Sequence, residues 1–171
     1  KMMKNTIKVF VLVALTLAAM SVSAQVKLGH IETQKLIQAM PEWTAAQKTF
    51  EEEQKKVNTE LNSLREQFQT KLAEYSEKMK TYSEAMRATT EEELQGLQQR
   101  IQRFQETAMA QLEKTQNDLM QPVMEKALNA IKEVGKENGF TYIFDMNAGI
   151  LYAAENSQDV LPLVKKKLGL Q

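Results

Sequence analysis

The stretch WTAAQKTFEEEQKKVNTELNSLREQFQTKLAEYSEKMKTYSEAM, residues 43–86, decides the fold of this chain. Its apolar side chains recur at steps of three and four residues, apart from one step of seven between Phe50 and Val57. That spacing places one apolar stripe along the face of a long α-helix. Pro41 suits the first helical turn, where its missing N–H loses no partner. The stripe comprises Trp43, Ala46, Phe50, Val57, Leu61, Leu64, Phe68, Leu72, Tyr75, Met79, Tyr82 and Met86.

A second helix is predicted to start near residues 88–91, where the first stripe stops and Thr90 and Glu93 match a capping box. The short connection forces the two helices to return antiparallel. The first helix, residues 42–87, would extend roughly 70 Å. Pro122 predicts a bend or break near residues 118–122, which would be either a simple kink or a pivot. The second stripe comprises Leu94, Leu97, Ile101, Phe104, Ala108, Leu112, Leu119, Val123, Ala127, Leu128, Ile131 and Val134.

Outside the hairpin the apolar period changes to two. Strands are predicted at residues 26–31, 140–146 and 150–154, the last two forming a β-hairpin through residues 147–149. Short helices are expected at 34–39 and 159–168. The predicted fold class is mainly α with a small β body, in which a long antiparallel α-helical hairpin, a coiled-coil arm, projects from a β-strand oligomerisation domain. We assign the body to residues 25–41 and 122–171, and the arm to residues 42–121 with its tip near 88–91.

The small body predicts self-association. Three strands and two short helices make a marginal core, and unpaired strand edges invite pairing with another chain. Contact with other copies of the chain would cover both the edges and the aromatic residues of the second strand. We therefore expect a homo-oligomer whose interface contains Ile31, Phe140, Tyr142, Phe144, Ile150 and Tyr152.

Residues 1–24 have the pattern of a cleaved secretory signal peptide. Lysines precede an apolar run, and Val22-Ser23-Ala24 ends it with small residues. The apolar run is shorter than the roughly 20 residues that span a bilayer, so an anchor is the weaker alternative. Without its three lysines the mature chain has 19 basic and 22 acidic residues. This mild acidity argues against a nucleic-acid partner, which would require a basic stripe.

The inventory of side chains argues against an enzyme. The sequence contains no Cys and a single His, His30, which excludes a Cys/His nucleophile and a multi-histidine metal site. The acidic triplets at 51–53 and 91–93 point in different directions around a helix, so neither converges on an ion. A Gly-rich phosphate loop is also absent from the sequence. We expect no cofactor and no catalytic residue.

Several apolar residues of the arm are candidates for binding unfolded chains. Methionine side chains adapt to varied apolar partners, and aromatic and aliphatic neighbours accompany them near the tip. The alternative role for the same residues is the seam that holds the hairpin together. The candidate client-binding residues are Phe68, Tyr75, Met79, Tyr82, Met86, Leu97 and Ile101.

The end segments of the chain resemble the Skp/OmpH family of periplasmic chaperones. The resemblance rests on VKLGHI at 26–31, PEW at 41–43, FTYIFD at 140–145, ILYA at 150–153 and the stretch from 159 to 168. The family implies a trimer whose strands form a central β-body, with three hairpins enclosing a cavity for unfolded outer-membrane proteins. One departure is charge, because residues 42–121 carry 15 acidic and 11 basic side chains, whereas the best-known members are strongly basic.

The leading hypothesis is an ATP-independent periplasmic holdase that encloses unfolded outer-membrane proteins and prevents their aggregation. Because the apolar run is short and no Cys near the cleavage site could carry a lipid, we expect no stable membrane insertion. The alternative is a structural coiled-coil spacer or scaffold that binds one defined folded partner in the cell envelope. Apolar stripes confined to the seam would favour that alternative.

Overall fold

A computed structural model describes residues 26–170, and the predicted signal peptide lies outside these residues. The chain has the predicted architecture, a long helical hairpin joined to a small strand region. Its elements are, in order, β1 (Leu28–Ile31), α1 (Thr33–Gln38), α2 (Pro41–Lys78), α3 (Glu84–Glu137), β2 (Tyr142–Asp145), β3 (Gln158–Asp159) and α4 (Leu161–Lys167).

The arm consists of α2 and the first two-thirds of α3, which lie antiparallel. The 38 residues of α2 extend about 57 Å at about 1.5 Å per residue. The two helices are linked at the base by an ion pair between Glu42 and Lys126. Near the tip, Lys71 pairs with Glu93 in the same way. The most deeply buried residues of the seam are Ala46, Leu64, Leu94 and Ala108.

The tip of the arm lies at residues 79–83, so the prediction of a tip near 88–91 was wrong. Ser83 is the N-cap of α3, and its hydroxyl accepts a hydrogen bond from the amide of Met86 at 3.2 Å. Thr90 lies inside the helix, where its hydroxyl donates to the carbonyl of Met86 at 2.9 Å. Ser and Thr both cap helices well, and here the earlier residue is the one at which the chain turns.

Pro122 lies inside α3 without ending it, because the helix continues to Glu137. The helix therefore does not break near residues 118–122, and the bend stays a prediction. The neighbouring residues Val123 and Ala127 are buried against the rest of the body, and this packing offsets the backbone hydrogen bond that a proline removes.

The core of the body forms where the last part of α3 meets α1, β1 and α4. Its fully buried members include Leu36, Val160 and Val164, and Trp43 packs against them from the start of α2. Trp43 and Ala46 belong to the same helix as the arm. The base of the hairpin and the body therefore share one hydrophobic core.

The sheet has the order β2-β1-β3, and both outer strands run parallel to β1. The predicted hairpin between residues 140–146 and 150–154 was wrong, since residues 150–154 are not a strand and β3 comprises only Gln158 and Asp159. Asp145 ends β2 with a turn: its carboxylate accepts from the amide of Asn147 at 3.0 Å and its carbonyl from that of Ala148 at 3.0 Å. The chain then crosses over β1 to reach the far edge of the sheet.

Candidate functional site

The structure divides the seven predicted client-binding residues into two groups. Phe68, Tyr75, Tyr82, Leu97 and Ile101 are half-buried along or beside the seam of the hairpin. Met79 and Met86 flank the tip and expose 40% and 53% of their surface. The first group therefore offers only part of each side chain to a ligand, whereas the two methionines are accessible.

Polar contacts hold the end of the arm closed. The hydroxyl of Tyr75 donates to the carboxylate of Glu91, which raises the pKa of Tyr75 because the bond stabilises the protonated phenol. The ring of Tyr75 also lies 6.4 Å from that of Tyr82. The ion pair with Glu93 raises the pKa of Lys71 in turn, chiefly through its hydrogen bond. These contacts join α2 to α3 without covering the methionines.

A groove of about 780 Å³ is lined by residues of both arm helices. The ion pair between Lys71 and Glu93 links its two walls. Gly96 leaves this part of the arm open, since a Cβ at that position would meet no atom within 4 Å. The remaining lining residues are mostly polar, among them Gln67, Thr70 and Arg100. The groove adds hydrogen-bonding groups beside the apolar seam.

Sequence reasoning missed further exposed apolar side chains on α3. Met109 is 72% exposed, and Met124 and Leu128 are 40% and 44% exposed. Met109 and Met124 each follow a buried residue, Ala108 and Val123, so neither lies at the centre of the seam. Met109 and Met124 could have been found by asking which apolar residues the second stripe leaves out, whereas Leu128 was counted as a member of that stripe.

The outer face of the sheet carries an apolar surface that we call the sheet face. It contains Leu28 from β1 and the stacked rings of Tyr142 and Phe144 from β2, whose centroids are 6.1 Å apart. These three residues are 50%, 59% and 45% exposed. The adjoining residues Leu151 and Tyr152 are 99% and 81% exposed. Ile150 and Tyr152 line a cleft together with Leu28 and Phe144. Four of the six predicted interface residues, Tyr142, Phe144, Ile150 and Tyr152, thus lie on or beside the sheet face.

Two of the predicted interface residues serve the core of the single chain instead. Ile31 is 1% exposed and points to the opposite side of the sheet, so it cannot contact a second copy. Phe140 is half-buried and packs against the core. Its ring lies under the ammonium group of Lys27, which is 4.3 Å from the ring centroid. Both residues were assigned to the interface from the alternation of apolar residues alone. Alternation does not tell which side of a sheet the helices cover.

Within residues 26–170, no cluster of three potential metal ligands is present. His30 lies on the sheet face, and its Nδ1 is 3.2 Å from the hydroxyl of Ser157. Across the same described range, no helix is long and apolar enough to cross a membrane.

Comparisons with known proteins agree with this architecture. The family described as outer membrane protein (OmpH-like) matches residues 27–168. A crystal structure from Caulobacter crescentus, assigned as an OmpH-like outer membrane chaperone, superposes with a TM-score of 0.75. It is 16% identical to this chain, and the match covers 85% of each chain. At that identity the likeness concerns the fold. A search of curated proteins returned no match.

Proposed function

Because the chain belongs to the OmpH-like outer membrane protein family, we propose that it is an ATP-independent holdase of the periplasm that encloses unfolded outer-membrane proteins. Membership of the family supports a chaperone role in general. The observation that carries the more specific proposal is the exposure of apolar side chains beyond the seam of a long arm. Met79 and Met86 at the tip and Met109 along α3 are accessible at 40%, 53% and 72%.

Binding by these side chains would be unselective, as a holdase requires. Methionine is flexible and polarisable, so it packs against varied apolar partners without demanding one sequence. Each contact buries little area and is individually weak, at roughly 25 cal/mol per Å². Many such contacts around an unfolded chain would shield its aggregation-prone segments while remaining reversible.

The proposed function includes assembly of several copies, for which a trimer is the form that the family resemblance implies. The sheet face supports this part of the proposal, since Tyr142 and Phe144 are large, apolar and half-exposed. Monomeric proteins rarely expose a large contiguous apolar patch. Several arms attached to one assembled body would surround a client, whereas a single arm would only touch it.

The arm's charge indicates how clients would be held. With 15 acidic and 11 basic residues at positions 42–121, the arm does not attract acidic clients electrostatically. Capture is therefore expected to vary little with ionic strength, because salt screens charge–charge attraction and leaves apolar contacts in place.

Light scattering from a diluted, urea-unfolded β-barrel protein tests the proposal. We expect suppression of aggregation near one assembled particle per client, without nucleotide. The double variant Met79→Gln/Met86→Gln should suppress less, whereas Lys80→Gln, a matched change at the same tip, should suppress normally. Failure of the wild-type protein to suppress scattering at this ratio would refute the holdase proposal. Recovery of one folded, stoichiometric partner from a pull-down would then favour the spacer or scaffold function.

A further inference from the structure

The methionines of this chain differ widely in their exposure to solvent. Met79, Met86, Met109 and Met124 are each at least 40% exposed. Met40, in the core of the body, is only 1% exposed. The accessible sulfur atoms therefore belong to the arm and its base, and the most protected one belongs to the body.

The four exposed methionines are distributed along the length of the hairpin. Met79 and Met86 flank the tip, and the stretch of α3 from Met86 to Met124 extends about 57 Å at about 1.5 Å per residue. Met109, Met120 and Met124 follow one another at steps of eleven and four residues, which places them on one face of a helix with about 3.6 residues per turn. A client held along the arm would therefore meet an accessible thioether at several points.

These thioethers are the sulfur groups that an oxidant can reach, because the chain contains no Cys. A lone pair of the methionine sulfur attacks one oxygen of hydrogen peroxide, and the O–O bond breaks as the S–O bond forms. The proton of the transferred oxygen passes to the departing hydroxide, which leaves as water. The sulfur is oxidised by two electrons and the peroxide is reduced by two. The product, methionine sulfoxide, is polar where the thioether was apolar.

The fold does not depend on the exposed sulfur atoms. The amide of Met86 donates to the hydroxyl of Ser83 at 3.2 Å, and the amide of Met79 donates to the carbonyl of Tyr75 at 2.8 Å. Both bonds use main-chain atoms of the methionines, so they are kept when the sulfur is oxidised. Met40, whose side chain does belong to the core, is shielded from solvent. Oxidation would therefore change the surface of the arm and leave the body folded.

We propose that Met79, Met86, Met109 and Met124 are sites of oxidation by peroxide, and that their conversion to sulfoxides lowers the capacity of the arm to hold apolar clients. The inference rests on the proposed holdase function, and it adds a form of regulation at the same side chains. Because methionine binds varied partners through its flexible, apolar thioether, the property that makes these residues suitable for clients also makes them oxidisable. Methionine sulfoxide can be reduced enzymatically, so the loss is reversible.

Peptide mapping by mass spectrometry tests the sites. The intact protein is treated with hydrogen peroxide, and samples are taken over time after catalase has removed the excess. Because susceptibility follows exposure, we expect Met109 to be oxidised first and Met40 to be oxidised at least about tenfold more slowly than the four exposed residues. Oxidation of Met40 as fast as Met109 would overturn the proposal. So would loss of helical circular dichroism in a sample whose Met40 is intact, because the fold would then depend on the exposed sulfurs.

Light scattering from an unfolded β-barrel protein, added after the catalase step, tests the effect on holding. We expect the oxidised wild type to be needed at about threefold or higher concentration for the same suppression. Treatment with methionine sulfoxide reductases and dithiothreitol, which supplies the two electrons and two protons, should restore the original value. Suppression that survives oxidation of all four residues would overturn this inference alone. An untreated protein that does not suppress scattering would refute the holdase proposal, and this inference with it.

A substitution that keeps the apolar surface and removes the sulfur separates oxidation of these residues from other damage. The quadruple variant Met79→Leu/Met86→Leu/Met109→Leu/Met124→Leu nearly conserves side-chain volume, so it should hold clients as the wild type does. We expect its holding to be unchanged by peroxide. The matched variant Met146→Leu, outside the arm at a partly buried residue, should remain as sensitive as the wild type. Equal sensitivity of the quadruple variant and the wild type would overturn the proposal.

Discussion

Replacing Gly29 with alanine is expected to destabilise the body by about 1–3 kcal/mol, the usual cost of overpacking a core. A Cβ at this position would lie 2.8 Å from Cε1 of Phe140 and 2.9 Å from Cγ1 of Val160. Carbon atoms prefer about 3.5–4.0 Å. Val160 is fully buried and has no space into which to move, and displacing the Phe140 ring would disturb its contact with the ammonium group of Lys27.

The same substitution at Gly96 is a matched control, for which we expect the opposite change in stability. Gly96 lies within α3, and an added Cβ would meet no atom within 4 Å. Alanine is more favourable than glycine in a helix interior by about 0.8–1.0 kcal/mol. Gly96→Ala should therefore stabilise the arm, while Gly29→Ala weakens the body.

Urea unfolding at one fixed protein concentration measures both changes. Fluorescence of Trp43, the only tryptophan, reports on the body because this residue packs against the core. Far-ultraviolet circular dichroism reports on the helices. For an m value of about 2 kcal/mol/M, the midpoint for Gly29→Ala should fall by about 0.5–1.5 M. An unchanged or higher midpoint by Trp43 fluorescence would refute the overpacking argument.

Three further changes test the arm. Leu64 is only 1% exposed, so Leu64→Ala should lower the free energy of unfolding by about 2–3 kcal/mol. Leu72 is 41% exposed, so Leu72→Ala should lower it clearly less in the same urea titration. Ser83→Ala should cost about 1 kcal/mol and speed hydrogen exchange in the first turn of α3; unchanged exchange would contradict the assigned cap. The hydrogen bond from Lys126 lowers the pKa of Glu42 from 4.5, so this pair stabilises the fold above pH 4.5 and loses its effect as the pH falls through the lowered pKa. Glu42→Gln should therefore unfold more easily than the wild type at neutral pH, and the difference should shrink in acid; a constant difference would contradict this assignment.

The helices could be predicted because their apolar period is long and regular, but their ends could not. Met79, Tyr82 and Met86 continue the spacing of three and four directly through the turn at residues 79–83. Periodicity therefore reports no interruption where the chain reverses. Only the choice of Ser83 over Thr90 as the cap locates the tip, and both residue types have similar capping strength.

The strands show a different limit of sequence reasoning. Alternation correctly indicated extended structure at β1 and β2, yet it assigned Ile31 to an outer surface that the structure places in the core. Residues 150–154 have strand composition but no partner within the described chain. Pairing depends on the path of the chain. The long arm between β1 and β2 allows these two strands to run parallel, but local composition does not reveal which strands will pair.

The candidate client-binding residues can be distinguished only in part from the residues that form the seam of the hairpin. Phe68, Leu97 and Ile101 are half-buried, so the atoms that close the hairpin and the atoms that a client could touch belong to the same side chains. A client segment that inserted fully between α2 and α3 would remove seam contacts that each contribute to the stability of the arm. Insertion would then replace one apolar contact with another and yield little net free energy. Clients are therefore expected to bind on the exposed sides of the arm, where Met79, Met86 and Met109 add apolar area without opening the seam. Under the holdase proposal, shallow and additive contacts of this kind would let a client leave without a nucleotide-driven step, because no single contact is strong enough to retain it.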